Sequence, residues 1–137
     1  MRLLTASLLA LSLPLLSGCK GEIDNLPTTP DPVTVEETFT GTLTVNGAQT
    51  HPVFTNATGT VTATLTSLGD EAPEKVGISM GTLAGATCTV VLHNDNAVVT
   101  SYLSGTVSTL AGSLCVRIFD VGKLTKPVDY TIKVSHP

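Results

Sequence analysis

The stretch Val128-Asp-Tyr-Thr-Ile-Lys-Val-Ser135 near the C-terminus alternates strictly between apolar and polar residues. Side chains on a β-strand point alternately to its two sides, so a period of two places every apolar residue of this stretch on one face. The same pattern recurs in residues 38–45 and 60–66, where threonine fills most polar positions. Threonine suits these positions because its branched Cβ fits the pleat while its hydroxyl stays hydrated. The three stretches predict strands with one buried and one wet face.

Further strand signals fill the rest of the C-terminal part of the chain. They lie in residues 52–56, 76–80, 87–93, 97–103, 106–110 and 113–121. The breaks between them hold turn-forming residues such as Asn46-Gly47 and Gly69-Asp70. Eight or nine short strands without helical periodicity predict an all-β fold, an antiparallel β-sandwich over residues 38–137. A β-barrel is the alternative, which the uneven turn lengths and the lack of a visible repeat disfavour.

Length and composition exclude several classes of protein. The chain has 137 residues, which is enough for one domain and too few for a second catalytic one. Its charged fraction is 13% and its hydrophobic fraction is 42%, which argues against a disordered protein. The net charge is −4 and only seven residues are basic, so nucleic acid is not an expected partner.

The first 18 residues have the form of a bacterial secretory signal. Met1-Arg2 is a basic start, residues 3–16 are almost wholly apolar, and Leu16-Ser17-Gly18-Cys19 ends the run. An apolar run of about 14 residues is shorter than the roughly 20 that a transmembrane helix needs. The closing tetrapeptide resembles the lipobox of bacterial lipoproteins, which implies cleavage before Cys19 and acylation of that residue. An ordinary signal peptide with an incidental cysteine is the alternative.

This resemblance implies attachment to a membrane through Cys19, because two or more acyl chains anchor a protein stably. In lipoproteins an aspartate directly after the cysteine often signals retention in the inner membrane, and here Lys20 follows. The resemblance therefore favours the outer membrane. Residues 19–37 form a proline-rich, acidic tether. At about 3.1 Å per residue, such a segment holds a domain up to about 50 Å from the bilayer.

Two further cysteines remain for an oxidising compartment. We expect Cys88 and Cys115 to form a disulfide; two unpaired buried thiols are the alternative. A metal pair is disfavoured, because neither cysteine belongs to a CxxC unit. Strand periodicity places Cys88 on the core face with Leu92, but it places Cys115 beside Arg117 on the other face. One of the two strands is therefore irregular, or the bond lies near strand ends.

A more extended pattern lies at the C-terminus. Residues 112–122 followed by residues 127–137 resemble the end of bacterial pre-peptidase C-terminal domains, in which a strand with an aspartate precedes a Pro-containing loop and a Tyr-x-Ile-x-Val strand. Gly41 and Phe54 fit the opening of that family more loosely. The resemblance implies a jelly-roll-like sandwich with an accessory, non-catalytic role. It does not imply a calcium site, because residues 49–54 lack the carboxylates that many relatives have there.

Residues with catalytic or metal-binding potential are few. His93-Asn94-Asp95-Asn96 is predicted to be the most polar loop, although Asn and Asp also form tight turns without further function. His51 and His136 are isolated near predicted strand ends, which disfavours a zinc site. Ser104 and Ser113 lie near glycines but outside any G-x-S-x-G motif. We expect no catalytic residue, no metal and no cofactor.

The sequence thus predicts a lipid-anchored envelope module that is not an enzyme. Its expected partner is an unidentified protein or glycan, bound through a loop end or a sheet face. Tyr102, Phe119 and Tyr130 are the residues available for stacking on a sugar, although aromatic residues of sandwiches more often lie in the core. Two alternatives remain open. One is a small hydrolase that uses the loop from His93 to Asp95, and the other is a purely structural envelope lipoprotein.

Overall fold

The computed structural model describes residues 33–70, 72–73 and 75–137, which form eight strands and no helix. The predicted signal and most of the tether, including Cys19, lie outside the described residues. In chain order the strands are β1 (Val35–Leu43), β2 (Ala48–Thr55), β3 (Gly59–Leu68), β4 (Val76–Ala84), β5 (Thr87–Ala97), β6 (Tyr102–Val107), β7 (Gly112–Phe119) and β8 (Val128–His136).

The strands form two antiparallel sheets of four. The first sheet has the order β1-β8-β3-β6 and the second has the order β2-β7-β4-β5. Each strand lies in the sheet opposite to its predecessor, except that β5 follows β4 within the second sheet. This order is that of a jelly-roll β-sandwich. The predicted fold class is confirmed.

The apolar side of β8 lies at the centre of the core. Ile132 faces Phe39 of β1 on one side and Leu65 of β3 on the other. Burial alternates along β8, with Val134 buried and Lys133 exposed between buried neighbours. Burying a side chain of this size contributes about 1.5–3 kcal/mol. The other large, fully buried apolar side chains are Leu43, Val53, Val61, Val76, Val116 and Ile118.

The first strand begins earlier than the sequence predicts. β1 starts at Val35, inside the stretch that was expected to belong to the tether. Glu36 and Glu37 already face Ser135 and Val134 of β8 in the antiparallel register. Pairing with the end of β8 therefore places Glu36 and Glu37 in a strand, whereas composition alone assigns them to a solvated linker.

The predicted strands 97–103 and 106–110 are wrong. A turn follows β5 instead, in which the N–H of Ser101 donates to the carbonyl of Val98 at 2.9 Å and the Ser101 hydroxyl accepts from the N–H of Val98 at 3.0 Å. The single strand β6 then runs through Gly105, where the sequence predicts a break. Glycine is accommodated there because the position packs against side chains of the opposite sheet.

β5 is irregular at Val91. Leu92 faces Met80 of β4, whereas Val90 faces Gly81, so Val91 is an extra residue without a partner in the ladder. One extra residue turns the preceding part of a strand to the other face. The residues of β5 before Val91 therefore have the opposite orientation to the one that strict alternation predicts.

This bulge resolves the conflict between the cysteines. Cys88 moves to the outer face and forms a disulfide with Cys115, with an S–S distance of 2.07 Å and a Cα–Cα distance of 5.8 Å. Their strands are separated by β4, and Cα atoms two strands apart normally lie about 10 Å from each other. β5 shortens this distance by rising over Gly81, where a Cβ atom would collide with the carbonyl oxygen of Thr89.

Replacing Gly81 by alanine is expected to destabilise the fold by about 3 kcal/mol, because the added methyl group meets backbone atoms that cannot rotate away. Urea unfolding of the full chain measures the loss, and thiol titration detects cysteines left unpaired. Gly105→Ala is the matched control, since its Cβ meets only the ends of the Met80 and Leu92 side chains, at 3.3 and 3.4 Å. Equal stability of the two variants would contradict this account of the disulfide.

Candidate functional site

The polar segment from His93 to Asn96 lies inside β5 and is not the predicted loop. Asn94 faces Ile78 of β4, and the register shifts between Val76 and Ile78 because two residues of β5 lie opposite one of β4. The N–H of Asn96 donates to Oδ1 of Asn94 at 2.9 Å. This side-chain bond is typical of a tight turn, but here a β-bulge uses it, which explains the wrong prediction.

A row of polar residues crosses the outer face of the second sheet. Thr50 of β2 faces Arg117 of β7, Arg117 faces Ser79 of β4, and Ser79 faces His93 of β5. Residues that face one another across antiparallel strands point to the same side and have Cβ atoms about 5 Å apart. We call these four residues the Arg117 row. It spans all four strands of the sheet.

The guanidinium of Arg117 lies over an aromatic ring. Its Cζ atom is 5.7 Å from the ring centroid of Phe119, within the range of a cation–π contact. The ring itself covers Gly77, where any side chain would collide with it. In the described part of the chain the ion pairs are Lys133 with Glu36 and His136 with Glu37, so Arg117 has no carboxylate partner there.

Beside Arg117, Ser79 carries a buried hydroxyl. The residue is 1% exposed, and its Oγ atom has no hydrogen-bond partner among the described residues. A buried polar atom without a partner costs about 1–3 kcal/mol. No sequence pattern indicates this, because Ser79 falls in a stretch whose pattern predicts only an apolar strand. The side chain of Ser79 points outward because the strand register pairs it with Arg117, and a local sequence pattern does not contain that register.

Inside the sandwich, His51 links the two sheets near β1 and β2. Its Nε2 atom lies 2.7 Å from the hydroxyl of Tyr130 in the first sheet. Its ring stacks on Phe39, with the centroids 4.8 Å apart. Burial lowers the pKa of His51 and burial raises the pKa of Tyr130, so the pair is uncharged at neutral pH. The sequence does contain a signal for this inward position: His51 and Val53 lie two residues apart, so they share one face of the strand.

The three histidines lie at three separate places. His136 is buried at the end of β8, with Nε2 3.6 Å from a carboxylate oxygen of Glu37. His51 lies between the sheets, and His93 lies on the outer face of the second sheet. Within the described ranges no group of three or more His, Cys, Asp or Glu residues is arranged to hold a metal ion.

Asp120, the aspartate of the C-terminal pattern, holds the loop before β8. Its Oδ1 accepts from the N–H groups of Lys123 and Leu124 at 2.8 and 3.1 Å, and its Oδ2 accepts from the N–H of Asn46 at 2.8 Å. Burial acts to raise the pKa of Asp120, but these donors together hold it below its ordinary 3.8. Its contacts are those of a loop-shaping residue.

An apolar groove of about 330 Å³ opens between the sheets where β5 and β6 form their edges. Core residues line it because neither sheet has a further strand on that side. The lining side chains and backbone include Val61, Met80, Leu92, Gly105, Val107 and Leu114.

No family model matches the chain, and no curated protein matches it. Among the described residues no helix has the length and hydropathy to cross a membrane. The geometry therefore defines the class of the protein as a disulfide-bonded jelly-roll β-sandwich. The lipobox at Cys19 and the likeness to pre-peptidase C-terminal domains stay predictions.

Acidification is expected to destabilise the fold through His51. Its folded-state pKa lies below the ordinary 6.5, so the unfolded chain binds more protons as the pH falls through 6.5, and the free energy of unfolding decreases until the folded-state pKa is passed. His51→Gln retains a hydrogen-bonding group for Tyr130 and removes the titration. Urea unfolding between about pH 7 and pH 5 should show a flatter dependence for this variant.

His93→Gln is the matched control for that experiment, because His93 is exposed and contacts neither Tyr130 nor Phe39. It should retain the slope of the wild type. An unchanged slope in His51→Gln would show that the inter-sheet pair does not carry the acid sensitivity.

Proposed function

We propose that the protein is a lipid-anchored module of the bacterial cell envelope that binds a partner and catalyses no reaction. The lipobox-like tetrapeptide ending at Cys19 supports the attachment, and the acidic, proline-rich tether supports a standoff from the bilayer. The observation that carries the binding role is the Arg117 row, since Arg117 lacks a carboxylate partner and Ser79 lacks a hydrogen-bond partner within the described residues.

The surroundings of the histidines support a non-catalytic role. A general base must lie within about 3 Å of the group whose proton it takes. His51 is already hydrogen-bonded to Tyr130. His93 has Ser79 as its cross-strand neighbour, but the serine hydroxyl is buried and makes no hydrogen bond to the imidazole. These contacts favour a binding module over the small hydrolase centred on His93 and Asp95.

The outer membrane is the proposed location. In the lipoproteins that the tetrapeptide resembles, an aspartate after the acylated cysteine often signals inner-membrane retention, and here Lys20 stands in that position. The acidic, proline-rich composition of the segment between Cys19 and β1 supports a tether that lets the sandwich reach partners beyond the lipid headgroups. A partner-binding face on such a tether fits an accessory role in the envelope.

Replacing Cys19 by alanine is expected to abolish membrane attachment, because the acyl chains have no other proposed site. Cells fed radioactive palmitate, followed by membrane fractionation, provide the test. The wild type should be labelled and should sediment with membranes, whereas Cys19→Ala should lose the label. The double variant Cys88→Ala/Cys115→Ala is the matched control, since it loses two cysteines and retains Cys19.

Two results would overturn the anchor. One is an unlabelled wild-type protein in the soluble fraction, which favours the ordinary signal peptide. The other is a Cys19→Ala protein that still incorporates palmitate. A labelled protein whose deletion weakens the envelope without any saturable binding would instead favour the purely structural lipoprotein.

A further inference from the structure

We propose that the Arg117 row binds carboxylate groups of an acidic polysaccharide. This inference rests on the proposed function, because it names the ligand class of the same sheet face. The row offers a guanidinium, an imidazole and two hydroxyls in one cross-strand line, and these come from Arg117, His93, Thr50 and Ser79.

The guanidinium of Arg117 is oriented by an aromatic ring. A planar guanidinium binds a carboxylate with two parallel N–H···O bonds when its orientation is fixed. The ring of Phe119 supports Arg117 from one side at 5.7 Å. The ring is itself held over Gly77, where no side chain competes for the space. Arg117 is thus positioned for a charged acceptor, and the described residues supply none.

Beside Arg117 lies the buried hydroxyl of Ser79. Ser79 is buried between Arg117 and His93, and its Oγ atom lacks a partner in the described part of the fold. Native structures rarely leave such a group unsatisfied unless a water, an ion or a ligand completes it. Because Ser79 faces Arg117 directly across the strands, a carboxylate bound to the guanidinium lies close enough for an oxygen, directly or through a bridging water, to complete this hydroxyl.

The outer face of β2 continues the site beside Arg117. Phe54 is 58% exposed, and Pro52 is also exposed. Both share the outward parity of Thr50, so they lie on the same face. The four residue-to-residue steps from Thr50 to Phe54 cover about 14 Å. A sugar ring has apolar faces that pack on such side chains, so a chain of acidic sugars matches a cation with apolar side chains beside it better than a small anion does.

The charges of the two sheet faces support the same ligand. On the first sheet, Lys133 lies 3.9 Å from Glu36 and is thereby paired. At the second sheet, Lys75 donates to Oδ1 of Asn96 at 3.3 Å, so its ammonium group already has a protein partner. On the outer face of the second sheet, Arg117 makes no ion pair with the described residues, and its recorded contact is the ring of Phe119.

The test uses the full-length protein, purified in detergent, in gels that contain polygalacturonate or neutral dextran. Polygalacturonate should retard the wild type, and dextran should not. Arg117→Gln should weaken the apparent affinity by about tenfold or more, because a charge-assisted bidentate contact is lost. Arg117→Lys should recover only part of it, since an ammonium lacks the planar fork.

Lys133→Gln is the matched control, because it removes the same charge from the opposite sheet and should bind like the wild type. Thermal unfolding checks that all three variants fold. Equal binding by Arg117→Gln and the wild type, equal weakening in Lys133→Gln, or no retardation of the wild type would each overturn the inference. A wild type that is palmitoylated but not retarded leaves the anchored module intact and points to a protein partner. Retardation without palmitoylation leaves the polysaccharide site intact and removes only the anchor.

Discussion

The backbone of β5 passes directly over Gly81 of β4, and the outer face of the second sheet depends on this close contact. The missing side chain provides the space, and the extra residue Val91 provides the change of face. Together they bring Cys88 to Cys115 across an intervening strand. Closing a loop with a sequence separation of 27 contributes about 3.5 kcal/mol in the chain-entropy model. The disulfide in turn holds β5 against the sheet next to Arg117, so the proposed binding row lies beside a cross-linked support.

The sequence predicts the fold best where burial alone decides the pattern. Residues of β8 and β3 alternate because one side meets the core and the other meets water, and this periodicity survives in the structure. It fails in β5 and β6, which are edge strands. There the bulge at Val91, the Asx contact at Asn94 and the inward-facing Gly105 serve tertiary contacts. Residues such as Asn and Gly occur both in bulged or closely packed strands and in turns, so local propensity cannot distinguish the two.

The proposed site could be anticipated only in part. Strict alternation in β7 places Arg117 outside the core, and the structure agrees. Its neighbours could not be predicted, because Ser79 and His93 lie 38 and 24 residues away along the chain, and only the sheet register brings them together. The same holds for His51 and Tyr130, which belong to different sheets. Pairing across strands is a property of topology, which no local window of sequence contains.

The two outer faces of the sandwich also differ in how their polar groups are satisfied. On the first sheet, Thr42 donates to Asp129 at 2.6 Å and Thr66 donates to a main-chain carbonyl at 3.2 Å. A ligand that bonds to these hydroxyls must replace protein contacts already made, so the net gain per contact is small. On the second sheet, the described residues offer no such contacts to Arg117 or Ser79. A ligand there need not replace a hydrogen bond or ion pair already made within the described residues, and for this reason the outer face of the second sheet is the stronger candidate for recognition.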